Sequence, residues 1–376
     1  MPDVKIGQFD DWLKDDGPVA LVIRQYLIPA TQPDDVIFPP SYANPSKKED
    51  DPPVYNIDGE GPASVCVIDS IPSQANRLEP VFASEKYRAL VPQINIKFKD
   101  GLTRSLLEIG HRITDAALRG TNLWPEVRAA LGDFRNNNAT TLARLAPTSL
   151  VFGAWDSRDS QVKIPRLINS IIRARNVVKL RRSAQYVPAI NYEREGLLPA
   201  DLDKKPADYG LADVPSVHMI GGIQVNGEIV RDAWLNLASL RCLRGTSADE
   251  TLKLQRYILG LCLIAMAAEP DLNLRQGCLL TLNPGKPPSS QTVTRAGGRT
   301  DAKFDPKEAA GFAKLAAEDF GVAQRAMDTV DFDPKILKKW LDANKEAKAE
   351  RKEKRAKGKA APEAGQGTSA GGEVPA

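Results

Sequence analysis

Apolar residues along the chain either alternate with polar ones or cluster in short runs, a pattern typical of interleaved strands and helices. Short apolar runs predict strands at 64–68, 94–98, 150–152 and 279–282. Two further runs, 217–225 and 228–237, flank Asn226 and Gly227, a dipeptide that favours a type I′ turn, and they predict a β-hairpin. The pattern as a whole predicts an α+β fold with long insertions around one sheet.

Helical signals occur in three further segments. Apolar residues that recur three and four positions apart predict a helix over 102–118. A capping box that starts at Ser247 precedes an apolar stretch and predicts a buried helix that ends near residue 268. Residues 307–327 are predicted as a surface helix and residues 285–302 as a loop.

Composition divides the chain into one large domain and a tail. Residues 1–342 are predicted to form a single domain with two polar insertions, at about 29–61 and 191–215. Residues 343–376 carry eight lysines and arginines and five glutamates among small residues, which predicts a charged and largely disordered tail.

Composition also favours a soluble protein of the cytoplasm. The longest apolar run has 12 residues, too few to span a bilayer, and the first residues show no secretory leader. The chain has two histidines, and its cysteines show no CxxC spacing, so we expect no metal site and no cofactor. The cysteines are Cys66, Cys242, Cys262 and Cys278.

The net charge of +3 gives no argument for a nucleic-acid partner, because the tail supplies all of it. A local concentration of positive charge lies instead between 158 and 182, where six arginines and two lysines stand against the single acid Asp159. β-branched residues between these cations predict packed elements, so the segment predicts a fixed groove for a phosphate backbone. A solvated, ion-paired surface remains the alternative. The cations are Arg158, Lys163, Arg166, Arg173, Arg175, Lys179, Arg181 and Arg182.

A second polar constellation follows the strand predicted at 64–68. Ser73, Gln74, Asn76 and Arg77 lie at the junction between that strand and a helix, where free backbone amides favour phosphate binding. Capping of the turn explains Ser73 equally well, so both interpretations stay open.

These segments, with 108–119 and 145–157, resemble a known family. The phrases DSIPSQANRLE and SLVFGAWDSR are similar to the RAMP-superfamily Cas-seven backbone subunit of type I-G (formerly I-U) CRISPR Cascade, an antiviral ribonucleoprotein. The similarity extends over about 37–282. It implies an RRM-like (ferredoxin-like) palm with inserted thumb and finger segments, the thumb being either the 29–61 or the 191–215 insertion.

The resemblance also implies partners and contacts. Copies of the chain would stack along a CRISPR guide RNA (crRNA), which pairs with target DNA, beside other Cascade subunits and away from membranes. Two departures from the family pattern, the lack of a glycine-rich loop and of an RNP-like aromatic pair, favour contacts to the guide backbone. The predicted RNA-binding residues are Ser73, Gln74, Asn76, Arg77, His111, Arg112, Arg158, Lys163, Arg166, Arg173, Arg175, Lys179 and Arg181.

The sequence leaves two rival functions open, although we expect no catalysis. In an endoribonuclease, His111 would be oriented by Asp115 one helical turn away, or a loop aspartate, Asp69 or Asp156, would cleave target RNA. In a protein-only scaffold, the basic face would meet acidic partners. No Walker, Rossmann, HExxH or GxSxG motif occurs, so nucleotide hydrolysis and ester or peptide chemistry have no support.

Overall fold

A computed structural model describes residues 4–32, 34–46, 53–268, 271–303, 305–322 and 328–345. It confirms a mixed α/β fold, organised around a curled antiparallel sheet. The predicted tail from residue 346 onward, the end of the helix predicted at 307–327, and residues 47–52 of the first insertion lie outside the described residues. Within the described part, none of the helices combines the length and the apolar character needed to cross a bilayer.

Groups of strands and groups of helices are interleaved along the described chain. The strands lie at β1 Ala20–Pro29, β2 Ser41–Tyr42, β3 Val54–Tyr55, β4 Ile57–Asp58, β5 Val65–Asp69, β6 Ile94–Lys97, β7 Thr103–Ser105, β8 Ala154–Trp155, β9 Lys163–Ile164, β10 Ile168–Arg175, β11 Val177–Tyr186, β12 Val214–Val225, β13 Ile229–Asn236, β14 Asn273–Arg275, β15 Cys278–Leu282, β16 Ser289–Val293, β17 Arg299–Asp301 and β18 Asp328–Asp331. The helices lie at α1 Asp10–Leu13, α2 Ile71–Leu78, α3 Trp124–Arg135, α4 Thr140–Leu145, α5 Pro147–Phe152, α6 Leu237–Arg241, α7 Ala248–Ala267, α8 Pro306–Phe320 and α9, which runs over 334–345.

The main sheet has the order β14-β15-β1-β13-β10-β5-β4, with the hairpin of β16 and β17 beside β1. β1 is the long central strand. It pairs with β13 over its length and shares its other edge between β16 and β15. Odd-numbered residues of β1 and β13 face one side, where most of them, such as Leu21 and Leu235, are buried. Even-numbered residues such as Arg24 and Trp234 face the open side and keep some exposure.

The core lies on the closed side of the sheet. Leu21 and Leu235 belong to one apolar cluster with most of α7 and the inner face of α8. The rings of Tyr257 and Phe320 stack across these two helices at 5.2 Å. The helices approach closely at Gly260, because a Cβ there would lie 2.7 Å from the Cα of Ala313. The helix predicted to end near residue 268 is therefore confirmed, and α8, predicted as a surface helix, buries one face against it.

A two-stranded arm continues from two neighbouring strands of the main sheet. β10 pairs with β13 inside the sheet as far as Ala174 opposite Ile229. The same two chain segments then pair as β11 and β12, starting with Val177 opposite Val225. We call residues 177–225 the arm. Most of the predicted 191–215 insertion therefore lies at the tip of the arm, between the end of β11 and the start of β12, and its last two residues belong to β12.

The hairpin predicted around Asn226 and Gly227 is wrong, because β12 and β13 pair with different strands and not with each other. The backbone N–H of Asn226 donates to the carbonyl of Asn176 at 2.9 Å, and Asn176 has a φ of 52°. The dipeptide thus lies at the bend where the arm leaves the main sheet. A Cβ on Gly227 would lie 2.6 Å from the carbonyl oxygen of Arg175, so the bend itself requires glycine.

The helix predicted over 102–118 is also wrong. β7 and three short 3₁₀ turns take its place. Side chains that bond to nearby backbone amides start two of the turns: the Ser105 hydroxyl accepts from Leu107 N at 3.2 Å, and Asp115 Oδ1 accepts from Ala117 N at 2.9 Å. Spacings of three residues bury apolar side chains in a 3₁₀ turn as they do in an α-helix, which explains the misleading periodicity. The turns are Leu106–Glu108, Arg112–Thr114 and Ala116–Gly120.

Two smaller predictions are wrong and several are right. Residues 150–152 form the last turn of α5, which begins at Pro147, a residue favoured in the first helical turn. Within 285–302, predicted as a loop, β16 and β17 form a hairpin. The predicted strands at 64–68, 94–98 and 279–282 are confirmed as β5, β6 and β15. Ser247 caps α7 as predicted, accepting from Glu250 N at 3.1 Å.

The described part of the 29–61 insertion braces the base of the arm. Ile37 forms a bridge with Ile223 of β12. The hydroxyl of Tyr55 accepts from the backbone N–H of Gly222 at 2.9 Å. Ile37, Tyr55 and Ile223 belong to a second apolar cluster that also contains residues of β5, β10 and β15. The first insertion therefore meets the base of the arm at β12, and the arm rests on a packed base.

The contact at Gly260 gives a stability prediction with an internal control. Gly260→Ala should lower the free energy of unfolding by about 1–3 kcal/mol, because its methyl group pushes on the backbone of α8. Gly132→Ala in α3 meets nothing within 4 Å and should raise it by about 0.5–1 kcal/mol. Chemical denaturation of both variants checks the pair. Equal effects at the two sites would contradict the close approach of α7 and α8.

Candidate nucleic-acid interface

A small hairpin, β8 and β9, presents the first cations of the 158–182 segment. α5 ends at Gly153, whose φ of 77° suits glycine. A Cβ there would lie 2.6 Å from Cγ of Arg166, so only glycine lets the two segments touch. β8 follows directly, with Trp155 opposite Lys163 of β9. The phrase SLVFGAWDSR thus encodes a helix, a glycine turn and a hairpin strand.

Asp156 fixes the loop of this hairpin. Its carboxylate accepts from three successive backbone N–H groups, those of Arg158 at 3.2 Å, Asp159 at 3.1 Å and Ser160 at 2.7 Å. Burial raises the pKa of Asp156, but these hydrogen bonds outweigh burial and lower it below its ordinary value. An ion pair with Arg119 at 2.9 Å completes its environment. The loop is therefore rigid, and it points Arg158 outward.

Arg119 in turn connects the hairpin to α9. Its guanidinium lies over the rings of Trp124 at 5.4 Å and Trp340 at 4.6 Å. The indole N–H of Trp340 donates to Asp159 at 3.2 Å. α9 therefore supports the hairpin loop from behind, which leaves the opposite side of the hairpin open.

Arg112 joins α2, the turn at 110–114 and the hairpin. It forms an ion pair with Glu79 at 2.7 Å, and both side chains are buried. Its guanidinium also donates to the carbonyls of Gly110 at 3.2 Å and Gly153 at 3.3 Å, and to Asn76 Oδ1 at 3.3 Å. Its φ of 53° costs about 1–2 kcal/mol in a residue with a Cβ. The surrounding contacts hold that conformation in place.

A cleft of about 590 Å³ opens between this turn and the hairpin. Its lining includes six basic side chains and no carboxylate. Arg112 and Arg119 are buried and paired with acids behind the cleft, whereas the other four are exposed. The six are His111, Arg112, Arg119, Arg158, Lys163 and Arg166. Five of these are predicted site residues, brought together from two distant parts of the sequence.

The cleft also contains a residue that sequence reasoning missed. Trp155 lines it with 61% of its side chain exposed. The signal that was available is its position in strand alternation beside the buried Asp156, which places Trp155 on the outer side of the hairpin. The cleft therefore combines cations with one aromatic ring.

Most of the predicted polar residues of α2 serve the interior of the protein. The prediction placed all four at the start of the helix, but α2 begins at Ile71 and Arg77 lies in its last turn. Asp69 is fully buried and accepts from Ser73 Oγ at 2.8 Å, Gln74 Nε2 at 2.6 Å and Arg77 Nε at 3.1 Å. Arg275 forms an ion pair with the same carboxylate at 3.2 Å. Gln74 is fully buried, and the Ser73 hydroxyl and two nitrogens of Arg77 are engaged in internal hydrogen bonds. Of the four predicted residues, only Asn76 is exposed.

The network extends into the sheet. Gln74 Oε1 accepts from Ser170 Oγ at 2.8 Å and from Arg231 Nε at 3.2 Å, and Arg231 Nη1 donates to Gln25 at 2.7 Å. Burial lowers the pKa of Arg231 to about 10. Gln74 therefore links the buried cation to Asp69 across two strands.

The remaining predicted cations follow β10 and the arm. Arg173 faces the open side of the sheet and is half-buried, and Arg175 is exposed where the arm begins. Lys179 and Arg181 are exposed on β11. The continuous segment 158–182 therefore supplies two separate surfaces, the cleft and the side of the arm.

The residues proposed for catalysis are not assembled into an acid–base pair among the described residues. Asp115 caps its own turn, and among the described residues the imidazole of His111 makes no hydrogen bond. The carboxylates of Asp69 and Asp156 are both buried, and each is engaged by several hydrogen-bond donors. The described residues include no cluster of three or more histidine, cysteine or acidic side chains that could hold a metal ion.

Comparison with protein families gives one finding. Residues 21–179 match the family described as CRISPR-associated protein GSU0053. The chain is CRISPR-associated. The matched segment contains α2, the buried Glu79–Arg112 pair, the cleft and all of β10, so the geometry of the site lies within the family region. The predicted resemblance is confirmed at this level, and the type I-G assignment stays a prediction. A search of curated proteins gives no match.

The buried pair predicts a pH dependence of stability. Burial raises the pKa of Glu79 from 4.5 to about 7, although Arg112 opposes the shift. Between these values the folded protein holds a proton that the unfolded chain has lost, so folding stability falls as pH rises. Glu79→Gln removes this effect. Wild type should therefore lose on the order of 1–3 kcal/mol relative to the variant between about pH 5 and about pH 8.

Urea denaturation at several pH values measures this difference. Glu108→Gln, at an exposed acid on the neighbouring turn, should follow the wild-type profile. A constant difference between wild type and Glu79→Gln across the range would show that the carboxylate is ionised throughout.

Proposed function

We propose that the chain is a guide-RNA-binding backbone subunit of a type I CRISPR Cascade, which multimerises along the crRNA and presents it for pairing with target DNA. The observation that carries this proposal is the cleft, in which three exposed cations, Arg158, Lys163 and Arg166, form no ion pair with any described residue. The described residues that line the cleft include no acid. The family match supplies the CRISPR context.

Several features of the cleft favour a phosphate backbone as its ligand. Arg158 and Lys163 lie on a hairpin whose loop is fixed by a buried carboxylate, so their positions are set before binding. Arginine pairs with two phosphate oxygens through its planar fork, which favours Arg158 and Arg166 as phosphate contacts. Arg112 and Arg119 lie behind these cations, and each is paired with a buried acid, Glu79 or Asp156.

The topology supports an RRM-like palm. β1, the helices up to α5, β10, β13, α7 and β15 follow in the order β-α-β-β-α-β, the ferredoxin-like sequence of elements. In the sheet, β15, β1, β13 and β10 are consecutive neighbours. The arm extends the connection between the second and third of these strands, which makes it our candidate for the thumb.

The surface of the arm supports self-association. Of 14 exposed large apolar side chains in the described residues, seven lie on the arm, so the exposed apolar area is concentrated on a projecting element. Such a concentration favours a protein contact. The seven are Val178, Tyr186, Val187, Ile190, Leu197, Tyr209 and Val214.

We propose that the subunit itself performs no catalysis and works in the cytoplasm with other Cascade subunits. His111 is the exposed imidazole of the cleft, and no carboxylate among the described residues orients it. A general base would need such a partner to set its tautomer and pKa. We therefore assign His111 to contact with the guide.

The cleft predicts a salt-dependent loss of RNA binding. Arg158→Ala, Lys163→Ala and Arg166→Ala should each weaken binding of a single-stranded RNA and flatten the dependence of log K on log[salt] by about 0.7 per lost phosphate contact. The dissociation constant is measured at several salt concentrations with the full chain. Lys314→Ala, at an exposed cation of α8 outside the cleft, serves as the matched control.

The pattern across variants decides the outcome. If all four variants lose affinity equally, binding is diffuse and the cleft is not the site. If the chain binds no RNA at low salt, the proposal of a guide-RNA-binding subunit fails as a whole.

The arm predicts a separable defect in assembly. Replacing residues 187–213 by an Asn-Gly turn keeps Tyr186 opposite Val214 and should leave the main sheet folded. The variant should bind a short RNA through the cleft but form much smaller particles on a long guide, as measured by light scattering. Leu315→Ser, at an exposed apolar residue of α8, should assemble like wild type. Particles of wild-type mass from the shortened arm would contradict this role.

A further inference from the structure

An exposed indole in a cleft calls for an explanation beyond phosphate binding. Trp155 is 61% exposed, the second largest fraction among the exposed large apolar side chains of the described residues. Its neighbours in sequence, Ala154 and Asp156, are partly or fully buried, so the hairpin turns the tryptophan outward as part of its regular alternation. Water contact with a large apolar ring is unfavourable, so this exposure has a cost when the cleft is empty.

The surroundings of the indole are cationic. Trp155 lies directly opposite Lys163 across the hairpin. His111, Arg158 and Arg166 line the same cleft, and its lining has no acid. Seven of the other large exposed apolar residues lie together on the arm, whereas Trp155 stands among basic groups. A protein partner would favour an apolar patch, while alternating cations and an aromatic ring suit a strand of nucleic acid.

The indole is also held in place. Gly153 starts β8 at a contact that only glycine allows, and Asp156 fixes the residue after Trp155 through three backbone hydrogen bonds. The backbone on both sides of the ring is therefore set, and only two side-chain torsions remain to be ordered on binding. This arrangement lowers the entropy cost of stacking.

We propose that Trp155 stacks on one unpaired base of the bound strand, so that the cleft takes a nucleotide by its base as well as by its phosphates. The inference rests on the proposed function and deepens it, because it names the ligand of the cleft as single-stranded nucleic acid with a splayed base. Bases in a duplex are stacked on each other and give no face to the indole. Stacking accepts any base, so the site should show little sequence preference.

The experiment compares two strands on two proteins. One strand is a short single-stranded RNA, and the other has the same length and phosphate count but carries no bases. Full-length wild type should bind the base-bearing strand about tenfold or more tightly than the abasic strand, since one stacked base is worth about that factor. Trp155→Ala should lose this preference and bind the abasic strand as wild type does. Trp155→Phe should keep part of it.

Each outcome is informative. The salt dependence should be the same for wild type and Trp155→Ala, because no phosphate contact is removed. Equal weakening on both strands would mean that Trp155 only supports the cations, and it would overturn the proposal. Unchanged binding of both strands by Trp155→Ala would also overturn the proposal. If the variant lost self-association but kept the preference for the base-bearing strand, the ring would contact a second copy of the chain, and this too would overturn the proposal. Absence of binding to either strand by wild type would instead overturn the proposed function itself.

Discussion

The buried ion pair between Arg112 and Glu79 is the contact on which the cleft depends. Three segments that are far apart in sequence, α2, the turn at 110–114 and the start of β8, meet around one guanidinium. Each ion loses its hydration on burial, so the pair is held by hydrogen bonds and packing as much as by charge. The pairing also limits how much positive charge Arg112 contributes to the cleft. Arg112 lines the cleft with Glu79 behind it, and this acid balances the charge of Arg112 only as it ionises near pH 7. Arg119 is paired with Asp156, whose lowered pKa keeps that carboxylate ionised. The free positive charge of the cleft therefore comes chiefly from Arg158 and Lys163 of the hairpin and from Arg166 just after it.

Local signals in the sequence were sufficient for the elements that local chemistry decides. The cap at Ser247 and the short strands β5, β6 and β15 could be predicted because their side chains satisfy backbone groups or alternate within a few residues. The bend at Asn226 and Gly227 could not. The dipeptide does favour a turn, but it could either join two paired strands or bend the chain where the arm meets the sheet. Which of the two occurs depends on Asn176, which lies 50 positions earlier and whose carbonyl accepts from the backbone N–H of Asn226. The segment 102–118 failed for a related reason, since apolar spacings of three suit both kinds of helical turn.

The candidate site was half predictable. The density of arginine between 158 and 182 correctly indicated exposed cations, because few acids nearby can pair with them. The polar residues after β5 were predicted to bind phosphate, but in the structure most of them bond to an internal acid. Ser73 and Gln74 are donors in the first turn of α2 and Arg77 is a donor in its last turn, and such donors serve an external anion or an internal one equally well. What decides between them is Asp69, an acid immediately before the helix cap, which is buried and takes up all three. An acid in that position is the signal in the sequence that favours an internal network.

The separation of the two cationic surfaces bears on the kind of ligand. Arg166 lies at the cleft, just before β10, and Arg175 lies at the end of β10 where the arm begins. An eight-residue strand spans roughly 25 Å at about 3.3 Å per residue, so the two surfaces lie at opposite ends of that length. A small anion could bind at one of these surfaces but could not contact the other. A polymer with regularly spaced charges can contact both, passing Arg173 on the open side of the sheet between them. The distribution of charge along one strand thus favours an extended polyanion, and Lys179 and Arg181 add two exposed cations on the arm beyond it.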